Sequence, residues 1–222
     1  MIYLPVSILL FLVLLFVFPF VWAAIAIDAV EVAVAKLGFS PNVAFILFAL
    51  VLIGGTINIP LYKTKSVVTV VSDFTELWLQ QFWGIPLKQV QQETVIALNV
   101  GGGLIPALLA IFQLWRSDSL AILVVTAIVT VVSYYSAHIV PGIGIQMNAL
   151  VAPLTASLSA VSIAGEAAPP VAFAGGVLGT LIGADLLHLK EVERMSPGVL
   201  SIGGAGVFDG IALCGLFALL LT

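Results

Sequence analysis

The chain has 222 residues, of which 62% are hydrophobic and 8% charged, and its mean hydropathy is +1.26. A soluble domain carries roughly a quarter of its residues as charges, so this composition excludes an ordinary soluble globule and predicts an integral membrane protein. Seven basic residues against 11 acidic ones give a formal charge of −4, without the basic stripe that a nucleic-acid partner requires.

Apolar runs of about 20 residues, the length of a bilayer-crossing helix, recur along the whole sequence. They predict an all-α integral membrane protein, a single polytopic domain over 1–222 with about seven transmembrane helices. Span one covers 4–27, with Pro19 as a kink and Trp22 as an interfacial anchor. No basic residue precedes it, so it is read as a retained span and not a cleaved leader. The stretch after it, with Asp28, Glu31 and Lys36, either prolongs the span or lies along the membrane surface. Span two runs over 41–59 and is ended by Pro60, with Lys63 and Lys65 marking the water.

Residues 61–92 form a polar connection. Its KSVVTVVSDF segment is β-branched and partly alternating, and Trp78, Phe82 and Trp83 are spaced as residues resting at a headgroup boundary. A short extramembranous hairpin or flap between helices two and three is predicted here, either a gate or a plain connector.

Span three takes 94–115 and contains Asn99, three successive glycines and Pro106. Such glycines let backbones approach closely, and a proline releases a carbonyl that a neighbour or water must satisfy. Asn99 and Pro106 are therefore candidate supporting or substrate-binding residues. Span four runs over 120–138. The following HIVPGIG holds too many breakers for a helix and almost no charge, as expected of a re-entrant or buried turn lining a cavity. His138 at its edge is either a member of a polar site or a solvated boundary residue. Span five covers 149–163, span six 170–189, and span seven opens within GVLSIGGAG.

If all seven cross, Lys63, Lys65, Lys88, Lys190 and Arg194 share one side, and Lys36 and Arg116 the other. The positive-inside rule then puts the N-terminus, the 61–92 connection and the turn after span six on the cytoplasmic side of a cell membrane.

The sharpest chemical signal is a pair of carboxylates, Asp185 and Asp209, each in apolar, glycine-rich sequence. An acid at membrane depth is costly unless it faces protein, water or a partner, so it is a functional candidate by default. Helical rise places them at similar depths, ~6 Å and ~9 Å. Glycines at 175, 176, 179 and 183 have the small-xxx-small spacing that seats a neighbouring helix. Two adjoining carboxylates in a low-dielectric site share a proton, leaving one as general base and the other as general acid. His188 follows Asp185 on the same helical face, and Gly183, Gly204 and Gly206 flank the two acids as supporting positions. Asp185 has a structural alternative, an ion pair with Lys190 or Arg194, and Asp209 another, hydrogen bonds to loop amides. The lone Cys214 lies in an apolar run and pairs with nothing within the chain. Two histidines and scattered acids show no metal-ligand spacing, so no metal or cofactor is expected.

The stretches NIPL at 58–61, NVGGGLIP at 99–106, VPGIGI at 140–145, GTLIGADLLHL at 179–189 and SIGGAGVFDG at 201–210 resemble a family of small polytopic membrane proteins of archaea and bacteria, known as a domain of unknown function. That resemblance implies a multi-pass membrane protein and carries no established activity. A weaker likeness is to the presenilin and signal peptide peptidase group of intramembrane aspartyl proteases. Against that group's motifs, IGAD at 182–185 is not GxGD, Phe208 precedes Asp209, and the PAL at 106–108 comes before the aspartates.

The leading expectation is a two-aspartate, protease-like protein that cleaves a membrane-embedded peptide by activating water, with Asp185 and Asp209 catalytic and with membrane lipid and a transmembrane peptide as partners. The rivals are a small proton- or cation-coupled transporter and a non-catalytic assembly partner that docks through 61–92.

Overall fold

The computed structural model describes residues 6–69, 89–140, 144–195 and 198–204. Helix α1, Val6–Lys36, runs through Pro19 and absorbs the segment after span one, so that segment prolongs the helix. A turn at Gly38 (φ 81°) leads to α2, Pro41–Gly54, which opens with Pro41 in its first turn. A proline is tolerated there because its missing N–H has no helical acceptor to lose.

The chain then turns to β-structure. Strand β1, Asn58–Thr69, pairs antiparallel with β2, Gln89–Asn99, in register from Asn58 opposite Asn99 to Thr69 opposite Gln89. The register shifts between Pro60 and Tyr62, which is where an edge strand can hold a proline. The antiparallel pairing expected of a hairpin is therefore present, but its strands reach well into the apolar sequence on either side of 61–92, and residues 70–88 between them lie outside the described residues.

From β2 the chain passes through a π-helical turn, Val100–Leu104, into α3, Ile105–Arg116. Helix α4, Ser119–Ser136, is capped by Asp118, whose Oδ1 accepts from the N–H groups of Leu120 and Ala121 at 3.0 and 3.1 Å. A small hairpin follows, β3 (His138–Val140) against β4 (Gly144–Gln146). Helix α5, Val151–Ala164, reverses through a 3₁₀ turn, Gly165–Ala167, into α6, Ala168–Thr180. Gly165 makes the reversal with φ at 53°, a left-handed value that favours glycine. A second π-helical turn, Leu181–Leu186, continues α6 and is followed by α7, Leu189–Met195. Strand β5, Gly198–Ile202, then joins β2 in parallel, giving the order β1-β2-β5.

The protein is thus mostly helical, as expected, but not all-α. Thr94–Asn99, expected to open span three, is a central strand, and Gly198–Ile202, expected to open span seven, is a strand as well. Thr94, Ile96, Ala97 and Asn99 are all buried. A strand covered on both faces reads as a continuous apolar run, which periodicity does not separate from a buried helix.

The core is the bundle of α4, α5 and α6. On α4 the buried residues Ala121, Ile122, Val125, Val129 and Ser133 recur at helical spacing, while Leu120, Leu123 and Tyr135 point outward and are exposed. The glycine stripe of α6 does seat a neighbour at close range, and that neighbour is α4. A Cβ at Gly175 would lie 2.6 Å from Val125 Cγ1, one at Gly179 2.6 Å from Val129 Cβ, and one at Gly183 2.4 Å from Thr130 O. Two helical stretches, Ser119–Ser136 and Val151–Glu193, are long and apolar enough to cross a membrane, the second folded back on itself at Gly165.

Candidate functional site

A half-open cavity of about 440 Å³ lies where the three-stranded sheet meets the π-helical end of α6. Each of the five stretches quoted for the family resemblance places a residue on its wall: Asn58, Asn99, Ile145, Asp185 and Ser201.

Asp185 is 4% exposed. It sits in the π turn Leu181–Leu186, a widened turn of the kind that recurs at functional sites because it re-aims one side chain out of the regular helical register. Its Oδ2 accepts a 2.7 Å hydrogen bond from the backbone N–H of Gly203, just past the end of β5. Among the described residues of the wall, Asp185 is the only ionisable one.

His188 supports that turn from beneath. It is 7% exposed, its ring stacks on Tyr134 at 4.6 Å, and its Nδ1 stands 3.1 Å from the carbonyl oxygens of both Gly183 and Ala184. Carbonyl oxygens only accept, so Nδ1 carries the hydrogen. A wide turn leaves carbonyls short of helical partners, and this N–H supplies one next to Asp185.

Across the cavity, Asn99 ends β2 and caps the first π turn. Its Oδ1 accepts from Gly102 N at 2.7 Å, while its Nδ2 donates to Gly55 O at 2.8 Å and to Asn58 Oδ1 at 3.1 Å. The Ser201 hydroxyl donates to the same Asn58 oxygen. The glycines hold the backbones this close. A Cβ at Gly101 would lie 2.0 Å from Val51 O, and one at Gly203, whose φ is 69°, would lie 2.6 Å from Gly103 Cα. Both contacts are with backbone, so no side-chain movement would relieve them.

Of the residues named from sequence, Asp185, Asn99 and Gly204 line the cavity. His188 buttresses it. Gly183 packs on α4, and Pro106 is buried in the first turn of α3. His138 is an exposed residue of β3 and does not line the wall. Gly206 and Asp209 lie outside the described residues, as does most of the 61–92 connection. Sequence reasoning passed over Asn58 and Ser201. The available signal was a polar side chain inside an apolar run, the same signal that singled out Asn99. Among the described residues no three His, Cys, Asp or Glu side chains are grouped to hold a metal.

No curated protein and no solved structure matches the chain. The match that does exist covers residues 52–221 and so includes every described residue of the cavity wall; the chain belongs to the family described as Protein of unknown function (DUF1614).

Proposed function

We propose that the protein is a small multi-pass membrane carrier of the cell membrane, in which Asp185 binds a proton or a cationic solute within the cavity. The observation that carries this reading is a single buried carboxylate on a wall that is otherwise, among the described residues, uncharged amide, hydroxyl, backbone and aliphatic surface. A buried carboxylate is stable when it is paired with a cation or neutralised by a proton, and exchange between those states is the elementary step of ion-coupled transport. Carriers build such sites where helices are interrupted and backbone groups turn toward a cavity. Here the two π turns and the glycine crossing supply that interruption. In this reading the apolar helices form about seven crossings, with the N-terminus cytoplasmic as the positive-inside count favours.

Peptide cleavage by two aspartates is the second reading. It is favoured by the Gly203–Asp185 hydrogen bond, which ties to Asp185 the chain six residues before Asp209.

Reconstituted liposomes distinguish them. For a carrier, proton or cation flux driven by an imposed gradient falls to the level of empty vesicles in Asp185→Asn and persists in Asp209→Asn. For a protease, a labelled single-span peptide is cut by the wild type and by neither variant. Gradient-driven flux that is the same in wild type and Asp185→Asn overturns the carrier reading.

A further inference from the structure

The hydrogen bonds around Asn58 fix which atoms the wall offers to a ligand. Gly55 O only accepts and Gly102 N only donates, so their bonds of 2.8 and 2.7 Å set the Asn99 carboxamide in one orientation. The Asn99 amide then donates to Asn58 at 3.1 Å, which identifies the contacted Asn58 atom as its oxygen. With that oxygen receiving, the Ser201 hydroxyl must donate to it too. Both lone pairs of Asn58 Oδ1 are thereby used. What this network leaves for the cavity is the N–H₂ of Asn58 as donor, the lone pairs of Ser201 Oγ as acceptor, and the Asp185 carboxylate as acceptor and the sole charge among the described wall residues; Gln146, also on the wall, adds an uncharged amide with a donor and an acceptor of its own.

That pattern disfavours a bare metal ion, which seeks several oxygen lone pairs and would meet the N–H₂ of Asn58 in place of its oxygen. It also disfavours a quaternary ammonium ion, which is bound by aromatic faces; none of the described wall residues is aromatic. Resting on the carrier reading, we infer that the cavity recognises a small primary ammonium solute that also bears a neutral hydrogen-bond acceptor, such as a carbonyl or hydroxyl oxygen. The ammonium group donates to Asp185 and to Ser201 Oγ, and the acceptor takes a hydrogen bond from Asn58 Nδ2. A volume of about 440 Å³ lies within the ~300–1,000 Å³ range of small-molecule sites.

The test is calorimetric titration of the purified full chain in detergent at constant ionic strength. The probes are glycinamide, methylammonium, tetramethylammonium and sodium, all as chlorides. Glycinamide is expected to bind saturably and about tenfold tighter than methylammonium, the ratio that one additional neutral hydrogen bond supplies. Binding is lost in Asp185→Asn, weakened several-fold in Ser201→Ala and retained in Ser201→Thr, which keeps the hydroxyl; unchanged circular dichroism and gel-filtration profiles show that each variant is folded. Equal affinity for methylammonium and glycinamide, displacement of glycinamide by sodium at equal concentration, or no saturable glycinamide binding each overturns the inference. Asp185-dependent sodium flux in liposomes without glycinamide binding leaves the carrier reading standing and removes this one.

Discussion

The backbone N–H of Gly203 donates a 2.7 Å hydrogen bond to Oδ2 of Asp185, eighteen residues before it in the chain, and both residues are buried. This bond joins the end of β5 to the π turn after α6, so the acid is held by the sheet as well as by its own helix. Removing the acceptor strands a buried N–H at a cost of about 1–3 kcal/mol. Asp185→Asn retains an oxygen for that N–H, and Asp185→Ala does not. The alanine variant is therefore expected to be less stable than the asparagine variant by about that amount, as read from reversible unfolding in mixed micelles. Equal stability of the two would show that the bond contributes nothing.

Gly183 couples packing to the site. A Cβ there would sit 2.4 Å from the backbone oxygen of Thr130 on α4, and Gly183 lies in the same π turn as Asp185. Overpacking of this kind costs typically 1–3 kcal/mol. Because the obstructing atom is backbone, no substitution at position 130 relieves it. Gly183→Ala is expected to lower stability and, by displacing the turn, to weaken ligand binding at Asp185. Gly183→Ala with full stability and unaltered binding would show that α4 and α6 separate without cost.

How far the fold could be read beforehand depends on which physical signal each element carries. The helices of the bundle were legible because α4 repeats its buried residues at helical spacing and α6 carries glycines four apart. Of the sheet only the antiparallel pairing around 61–92 was legible; Thr94–Asn99 and Gly198–Ile202 were not, because they are short and apolar and carry no alternation. Asp185 was legible through the cost of burying an acid, a term large enough to stand out in any apolar run. Asn58 and Ser201 were not, since an amide and a hydroxyl cost far less to bury and their partners are 41 and 143 residues away in sequence. The sequence left the neighbour of the glycine stripe unnamed, because small-residue spacing announces a close approach but does not say what approaches.

Asn99 is expected to be intolerant of a carboxylate. Its Nδ2 serves two acceptors, Gly55 O and Asn58 Oδ1. In Asn99→Asp an oxygen faces both, so two bonds are replaced by oxygen–oxygen repulsion at a position only 4% exposed. A loss of at least about 1–3 kcal/mol is expected. The readout is faster hydrogen exchange in the β1–β2 pair, beginning at the Asn58–Asn99 end. Exchange identical to wild type would show that the amide network does not hold the sheet end in place.

Tyr62 gives a pH-dependent reporter on the contact between β1 and α7. Its hydroxyl donates to Glu193 Oε1, linking β1 to α7. That hydrogen bond, then burial, then the Glu193 charge all favour the neutral phenol, and they push its pKa from 10.0 up to about 12. Because the folded value is the higher one, the link contributes fully below pH 10 and is lost as pH rises toward about 12. Tyr62 is 43% exposed, so solvent screens the contact and the change in stability is expected to be small. The titration itself is the better readout. The alkaline ultraviolet difference between wild type and Tyr62→Phe should show one phenolate step near pH 12, moving back toward 10 in Glu193→Gln. A wild-type step already at 10.0 would mean that β1 and α7 are not joined through this pair.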